Sequence, residues 1–151
     1  MLRAELNEAL RAAQRAKNQR RISTLRLILA AIKDRDIANR TENNRQGVSD
    51  EEIHAILQKM VKQRHESIGH YEAGGRLELA EQEAEEIDII HEFLPRQMTE
   101  EEIGEAARAV VAEIGAANLK DMGRTMTVLR SRYAGQMDFA KASAAVKEIL
   151  G

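Results

Sequence analysis

The chain has 151 residues and a net charge of −2, and 43% of its residues are hydrophobic, which is enough for one compact domain or two small lobes. It contains no cysteine, which excludes disulfides, thiolate nucleophiles and sulfur-ligated metals. No apolar run approaches the length of a membrane span, and Arg3 and Glu5 stand where a signal peptide would be apolar, so we expect a cytoplasmic protein with no membrane partner.

Residues that favour helices dominate the chain, and hydrophobic periodicity predicts seven helices and no strand, which is an all-α fold. In chain order the predicted helices are about 2–17, 19–39, 50–73, 76–93, 99–115, 118–134 and a last one that Asp138 caps. Residues 40–48, between the second and the third helix, are predicted to be a polar loop.

Two capping boxes and one proline mark boundaries along the chain. In a capping box, a hydroxyl accepts the backbone N–H of the residue three positions later, and the carboxylate of that later residue accepts the backbone N–H of the hydroxyl residue. The pattern occurs at Ser49–Glu52 and Thr99–Glu102. Pro95 is the only proline and ends the fourth helix. We therefore predict an N-terminal helical domain at 1–95 and a C-terminal three-helix bundle at 96–151.

Two apolar stripes in the C-terminal part are predicted to be buried. They consist of Leu119, Met122, Met126, Leu129 and Tyr133 in the sixth helix, and of Ala142, Ala145, Val146 and Ile149 in the last one.

The third and fourth helices meet at Gly74–Gly75, so they are predicted to form an antiparallel hairpin. A register that aligns their apolar stripes puts Arg64 opposite Glu83. Charges on otherwise apolar stripes are costly unless they are paired. We therefore predict an ion pair between Arg64 and Glu83, within about 6 Å, with Glu86 as the nearest substitute partner. The pair is expected to hold the fold together rather than to form a functional site.

Fragments that resemble active-site motifs fail on spacing or facing. His65 and His70 are about 140° apart around a helix, so they cannot share a metal as an i, i+4 pair does. The pairs Glu51–His54 and Asp88–His91 have the spacing of di-iron bundles, but no inward-facing carboxylates from the first two helices complete a site. No phosphate-binding loop and no triad pattern is present. We predict no metal, no cofactor and no catalytic residue.

Charge is unevenly distributed along the chain. Residues 1–48 carry a balance of +6, residues 49–102 of −10 and residues 103–151 of +2. The chain as a whole therefore has no positive excess, and a nucleic acid would have to be bound by local groups. Ordinary solvated helix faces are the alternative explanation of the same charges.

Two basic groups are candidates for RNA binding. Arg26 and Lys33 align beside the apolar arc of the second helix. Lys120 and Arg124 lie on the outer face of the sixth helix, in its first turn, where free backbone N–H groups and the helix dipole favour phosphate, although Asp121 competes for the same positive end. The chain has two Phe, two Tyr and no Trp, which argues against base stacking and favours recognition of the backbone and shape of folded RNA.

An ordered set of segments resembles the GatB/YqeY family over nearly the whole chain. The segments are Leu25–Lys33, Lys62–Ser67, Tyr71–Glu83, Glu86, Phe93–Pro95, Glu100–Glu102, Asp121–Met126 and Val146–Lys147. The chain departs from the family pattern at Arg124, where lysine is common, and at Phe93, where tyrosine is common.

The resemblance implies an N-terminal helical body and a C-terminal bundle similar to the tail domain of the B subunit of tRNA-dependent amidotransferases. In those enzymes the tail holds tRNA while other domains transfer the amide. The resemblance therefore implies a tRNA-binding accessory protein without a catalytic centre. It also implies that the family description as a glutamine-dependent carbon–nitrogen ligase reaches this chain only through the shared tail domain. The implied partners are tRNA and an aminoacyl-tRNA synthetase or amidotransferase, and no DNA is expected.

Three functions remain open at this point. The leading hypothesis is tRNA binding led by Lys120 and Arg124, joined by the basic N-terminal helices with Arg26 and Lys33. The second is a protein-interaction adaptor that uses the acidic helix at 78–92 or the methionine-bearing bundle. The third is a stand-alone component of an amidotransferase.

Overall fold

A computed structural model describes residues 1–40 and 47–151, and within these ranges the protein is all-α, which confirms the predicted fold class. The helices are α1 (Leu2–Arg15), α2 (Gln19–Ala38), α3 (Asp50–Ala73), α4 (Leu77–His91), α5 (Glu100–Ile114), α6 (Met122–Arg132) and α7 (Phe139–Leu150), with a 3₁₀ turn (Leu119–Asp121) before α6. Most of the loop predicted at 40–48 lies outside the described residues.

The helix ends follow the capping residues that the sequence displays. The Ser49 and Thr99 hydroxyls each accept the backbone N–H of the glutamate three residues later, at 3.2 Å, and both capping boxes are complete. Gly115 ends α5 in the left-handed conformation with φ 69°, which glycine adopts without a steric penalty. Local chemistry thus fixes where α3 and α5 begin and where α5 ends.

The chain divides into two compact units, Met1–Leu94 and Pro95–Gly151. The first unit contains α1 to α4, and the hairpin of α3 and α4 is its longest element. Its core consists of Leu2, Leu6, Ala13, Ile22, Leu25, Ile28, Ile32, Ile53, Ile56, Leu57, Met60 and Ile90. The Arg3 guanidinium binds both carboxylate oxygens of Asp36 at 2.9 Å, which joins α1 to α2.

A cluster of partly buried charges joins α2, α3 and α4. Arg64 Nε donates to Glu86 Oε2 at 3.0 Å and lies 3.8 Å from Glu83 Oε2, so both carboxylates are inside the 6 Å limit set from the sequence. The shorter contact is to Glu86, the residue named as the substitute partner. Arg20, from α2, donates to Glu85 at 3.1 Å. Burial and the neighbouring Glu86 carboxylate raise the pKa of Glu83.

The second unit is a three-helix bundle of α5, α6 and α7. Its core consists of Ile103, Ala106, Ala107, Val110, Met126, Leu129, Met137, Ala142, Val146 and Leu150. Two apolar residues predicted to be buried are exposed: Leu119 by 49% and Ile149 by 38%. Leu119 lies in the 3₁₀ turn and so leaves the α-helical stripe that Met126 and Leu129 continue. Leu150 is buried at the end of α7 instead of Ile149.

A candidate nucleic-acid interface on the sixth helix

The side of α6 away from the core forms a continuous exposed strip. Thr125, Met126 and Leu129 are buried in the bundle, so the residues on the opposite side of the helix face outward. The outward residues are Gly123, Arg124, Thr127, Arg130 and Ser131, all of them exposed. Together with Lys120 of the preceding turn, we call these six residues the α6 face.

Small side chains occupy the middle of the α6 face. Gly123, Thr127 and Ser131 follow one another at four-residue spacing, so they form a single row along the helix. A Cβ added to Gly123 would meet nothing within 4 Å, and the Thr127 hydroxyl donates to the Gly123 carbonyl at 2.9 Å. The side chains of this row therefore project only a short distance from the helix. The backbone of a ligand can approach the helix closely there, between Arg124 and Arg130.

The cations of the α6 face differ in whether they are already paired. In the described part of the chain, Lys120 and Arg130 make no ion pair. The guanidinium of Arg124 lies 3.3 Å from Asp121 Oδ1. Two of the three positive charges on this face are therefore free to meet an anion, and the third is held by a carboxylate.

The backbone at the start of α6 does not offer the free N–H groups that the sequence suggested. The N–H of Lys120 donates to the Asn118 side chain at 3.0 Å, and the N–H of Asp121 donates to the Asn118 carbonyl at 2.9 Å. The N–H of Met122 points to the Leu119 carbonyl. These three N–H groups are therefore engaged within the turn and are not available to an anion.

Asp121 has a double role at this end of the helix. Its Oδ2 accepts the N–H of Ala117 at 2.8 Å, while its Oδ1 faces Arg124. The hydrogen bonds from the backbone N–H groups of Ala117 and Asn118, and then the charge of Arg124, lower the pKa of the Asp121 carboxyl. Asp121 is therefore ionised near neutral pH and cancels part of the positive charge beside it.

Charge is segregated within the second unit. Residues 95–151 contain eight basic and eight acidic side chains, so the unit is neutral as a whole. Residues 119–132 contain four of the basic and one of the acidic side chains, which leaves this segment at +3 and the rest of the unit at −3. Within this segment Arg132 is paired with Glu113 of α5 and Arg124 with Asp121, so Lys120 and Arg130 are the positive charges without an ion pair among the described residues.

Arg130 belongs to this face and was not among the residues predicted from the sequence. It lies three positions after Thr127, on the edge of the small row opposite Arg124. The signal was present in the helical spacing alone, because the apolar stripe with Met126 and Leu129 leaves Arg130 on the outer side of the helix. Arg130 was overlooked because it flanks the row of small residues on the side away from Arg124.

The other predicted RNA-binding residues, Arg26 and Lys33, lie on the exposed side of α2 in the first unit. Neither makes an ion pair with any residue in the described ranges. Leu27 and Ile37 beside them are 49% and 58% exposed, so this surface is mixed rather than purely basic.

The surfaces considered for a protein adaptor are largely used within the fold. On α4, Glu78 pairs with Arg76, while other glutamates pair with arginines of α2 and α3. Met126 and Met137 are buried in the bundle. The acidic helix and the methionines therefore present less free surface than the sequence suggested.

Residues 1–40 and 47–151 form neither a metal-binding cluster nor a helix that could span a membrane. No group of three or more histidine or carboxylate side chains in these ranges is placed to hold a metal ion. None of the described helices combines the length and the apolar character needed to cross a membrane.

Comparison with known proteins finds one family and several relatives. The model of the family described as Yqey-like protein matches residues 3–150. The relatives named Altered inheritance of mitochondria protein 41, mitochondrial, include those of Eremothecium gossypii, 32% identical over 91 residues (60% of this chain, 48% of the relative), and Lachancea thermotolerans, 33% identical over 93 residues (60% and 46%). That of Pyrenophora tritici-repentis is 24% identical over 151 residues (97% and 79%).

These comparisons correct one expectation and establish one conclusion. The cytoplasmic location expected from the sequence is contradicted, because the matching relatives are named as mitochondrial proteins. The chain spans about half the length of the first of these relatives. The family model covers all but the outermost residues. This chain therefore belongs to the family of Yqey-like proteins.

Proposed function

We propose that this chain is a tRNA-binding accessory protein and that the α6 face is its contact surface. The observation that carries the proposal is the segregation of charge in the second unit, where residues 119–132 hold a balance of +3 on a neutral bundle. Lys120 and Arg130 have no carboxylate partner among the described residues, so binding a phosphate would not require them to give up an ion pair.

The composition of the α6 face favours RNA backbone over bases. Its row of small side chains, centred on Thr127, offers no aromatic ring on which a base could stack. Basic side chains lie on both sides of this row of small residues, where they can bind the phosphates of a folded RNA. Such contacts recognise the shape of the RNA rather than its sequence. The proposed resemblance of the bundle to the tRNA-holding tail of the amidotransferase B subunit agrees with this mode.

The proposal is tested by measuring tRNA binding to the purified full chain across a series of salt concentrations. Phosphate contacts release counterions, so the logarithm of the affinity should fall linearly with the logarithm of the salt concentration. Lys120→Ala combined with Arg130→Ala should weaken binding by about tenfold at about 0.1 M salt and reduce the slope by about two. These two residues are chosen because removing them leaves no carboxylate without its partner.

The matched control removes two cations elsewhere. Lys59 and Lys62 are exposed on α3 and have no ion pair within the residues described. The double variant Lys59→Ala, Lys62→Ala has the same change in net charge and should bind tRNA as the wild type does. Binding that is independent of salt, or equal losses in both double variants, would show that the α6 face is not the contact surface.

The two alternatives are discriminated by separate measurements. An adaptor would retain a protein partner in co-purification after nuclease treatment, whereas a tRNA-binding protein would lose material that associates through RNA. A stand-alone amidotransferase component would convert mischarged tRNA in the presence of glutamine when the purified chain is added, and we expect no conversion.

A further inference from the structure

Asp121 is the only carboxylate in the segment 119–132, and it contacts the one arginine of the α6 face that is paired. The side chain of Arg124 is 56% exposed and reaches Asp121 Oδ1 at 3.3 Å. A carboxylate and a phosphate compete for the same guanidinium, because both accept charge-assisted hydrogen bonds from its N–H groups. In the free protein the place beside Arg124 is therefore taken by a group with the charge and the acceptor geometry of a ligand.

The two oxygens of Asp121 have separate partners. Oδ2 accepts the backbone N–H of Ala117 at 2.8 Å and so fixes the loop before the 3₁₀ turn. Oδ1 faces Arg124, and the backbone N–H of Asn118 also interacts favourably with the carboxylate. The contact to Ala117 explains why a polar residue stands here, but an asparagine oxygen could accept the same N–H. The negative charge is what holds Arg124, and an asparagine at this position would lose that charge while keeping the contact to Ala117.

We infer that Asp121 limits the affinity of the α6 face for RNA: its carboxylate occupies in the free protein the position beside Arg124 that an RNA phosphate takes in the complex. The inference rests on the proposed function, since it concerns the same surface. RNA binding then includes an exchange, in which Arg124 leaves Asp121 and turns to a phosphate. The exchange keeps the affinity moderate and makes Arg124 contribute less than Lys120 or Arg130.

The test uses Asp121→Asn in the full chain, because this change removes the charge and keeps an acceptor for Ala117. We expect the variant to bind tRNA about two- to fivefold more tightly than the wild type, the range that corresponds to one exposed ion pair. The slope of the logarithm of affinity against the logarithm of salt should become steeper by about one, because Arg124 then makes a full phosphate contact.

Two further variants separate this effect from a general change in charge. Glu101→Gln removes an exposed carboxylate on α5 that has no ion pair in the described part of the chain, and it should leave the salt slope unchanged. Combining Asp121→Asn with Arg124→Ala should give the slope of Arg124→Ala alone, because the gain requires the guanidinium. Thermal unfolding at unchanged temperature in Asp121→Asn would show that the loop at Ala117 is intact.

The outcomes distinguish a failure of the role of Asp121 from a failure of the proposed function. Asp121→Asn indistinguishable from Glu101→Gln, while Lys120→Ala with Arg130→Ala still weakens binding, would overturn the role of Asp121 and leave the proposed function standing. A steeper slope that persists without Arg124 would also overturn it, since the carboxylate would then act only as a repulsive charge. Absence of salt-dependent tRNA binding by the wild type would overturn both.

Discussion

Arg64 Nε donates to Glu86 Oε2 at 3.0 Å across the hairpin of α3 and α4. The two side chains are 13% and 12% exposed, so this ion pair is largely removed from water. Arg64 also donates to the Met60 carbonyl at 3.2 Å, which holds its guanidinium against its own helix. The contact therefore ties the two helices of the hairpin together at the point where their apolar stripes are interrupted by charge.

Replacing Arg64 by alanine should destabilise the first unit by about 3 kcal/mol, because it leaves the largely buried Glu83 without a counter-charge and Glu86 with only the Arg20 guanidinium, 4.0 Å away. Urea unfolding followed by circular dichroism measures the change in the free energy of unfolding. Arg76→Ala is the matched control: Arg76 pairs with Glu78, but both side chains are more than 60% exposed, so its loss should cost no more than about 0.5 kcal/mol. Equal costs in the two variants would show that the burial of Arg64 has no energetic consequence.

Glu83→Gln should stabilise the protein at neutral pH. Burial and the Glu86 carboxylate raise the pKa of Glu83, so the folded state favours the protonated form. The stability that this group contributes is fully present below its ordinary pKa of 4.5 and is lost as the pH rises through the raised value. Glutamine resembles the protonated form at every pH.

The difference in unfolding free energy between Glu83→Gln and the wild type should therefore grow as the pH rises above about 4.5 and level off near neutrality. Glu81→Gln provides the comparison, because Glu81 is exposed on the same helix and has no ion pair among the residues described. A difference that shrinks with rising pH would mean that Arg64, rather than burial, decides the charge state of Glu83.

Thr24→Val should stabilise the first unit by about 1 kcal/mol. The Thr24 side chain is fully buried in α2, and its hydroxyl has no hydrogen-bond partner in the described residues. Valine has nearly the same shape and removes a polar group whose desolvation is not compensated. Urea unfolding of the full chain measures the effect.

Thr125→Val is the counterpart in the second unit. Thr125 is equally buried, but its hydroxyl donates to the Asp121 carbonyl at 2.9 Å. The same substitution should therefore destabilise by about 1 kcal/mol. Opposite signs at Thr24 and Thr125 would assign the effect to hydrogen bonding, whereas the same sign at both positions would assign it to helix propensity or packing.

The sequence predicts the helices well because their ends are set by local chemistry. The hydroxyls of Ser49 and Thr99 and the conformation of Gly115 act within a few residues of themselves, so the pattern alone reveals them. The contact of Arg64 with α4 also follows from helical periodicity. Periodicity could not decide between Glu83 and Glu86, because an arginine side chain is long enough to reach either one across the hairpin.

The α6 face was harder to predict because a short 3₁₀ turn precedes the helix. The turn takes Leu119 out of the apolar stripe and uses the backbone N–H groups of Lys120 and Asp121 in local hydrogen bonds. The residue types alone do not show which acceptor each N–H group will use, because several groups nearby can accept a hydrogen bond equally well.

Glu102 links the capping box of α5 to an ion pair, and its pKa predicts a specific response to acid. The guanidinium of Arg96, followed by the Thr99 backbone N–H, lowers the pKa of Glu102 from 4.5 to about 2. Because the folded pKa is depressed, the stability that this carboxylate contributes is present above pH 4.5 and is lost as the pH falls through about 2. Glu102→Gln should therefore lower the Tm at pH 7, and the variant and the wild type should unfold at the same temperature near pH 2.

The neighbouring change Glu101→Gln should lower the Tm at neither pH, because Glu101 is exposed and has no ion pair in residues 47–151. A Tm difference for Glu102→Gln that stays constant from pH 7 to pH 2 would assign the effect to the geometry of the cap instead of to its charge.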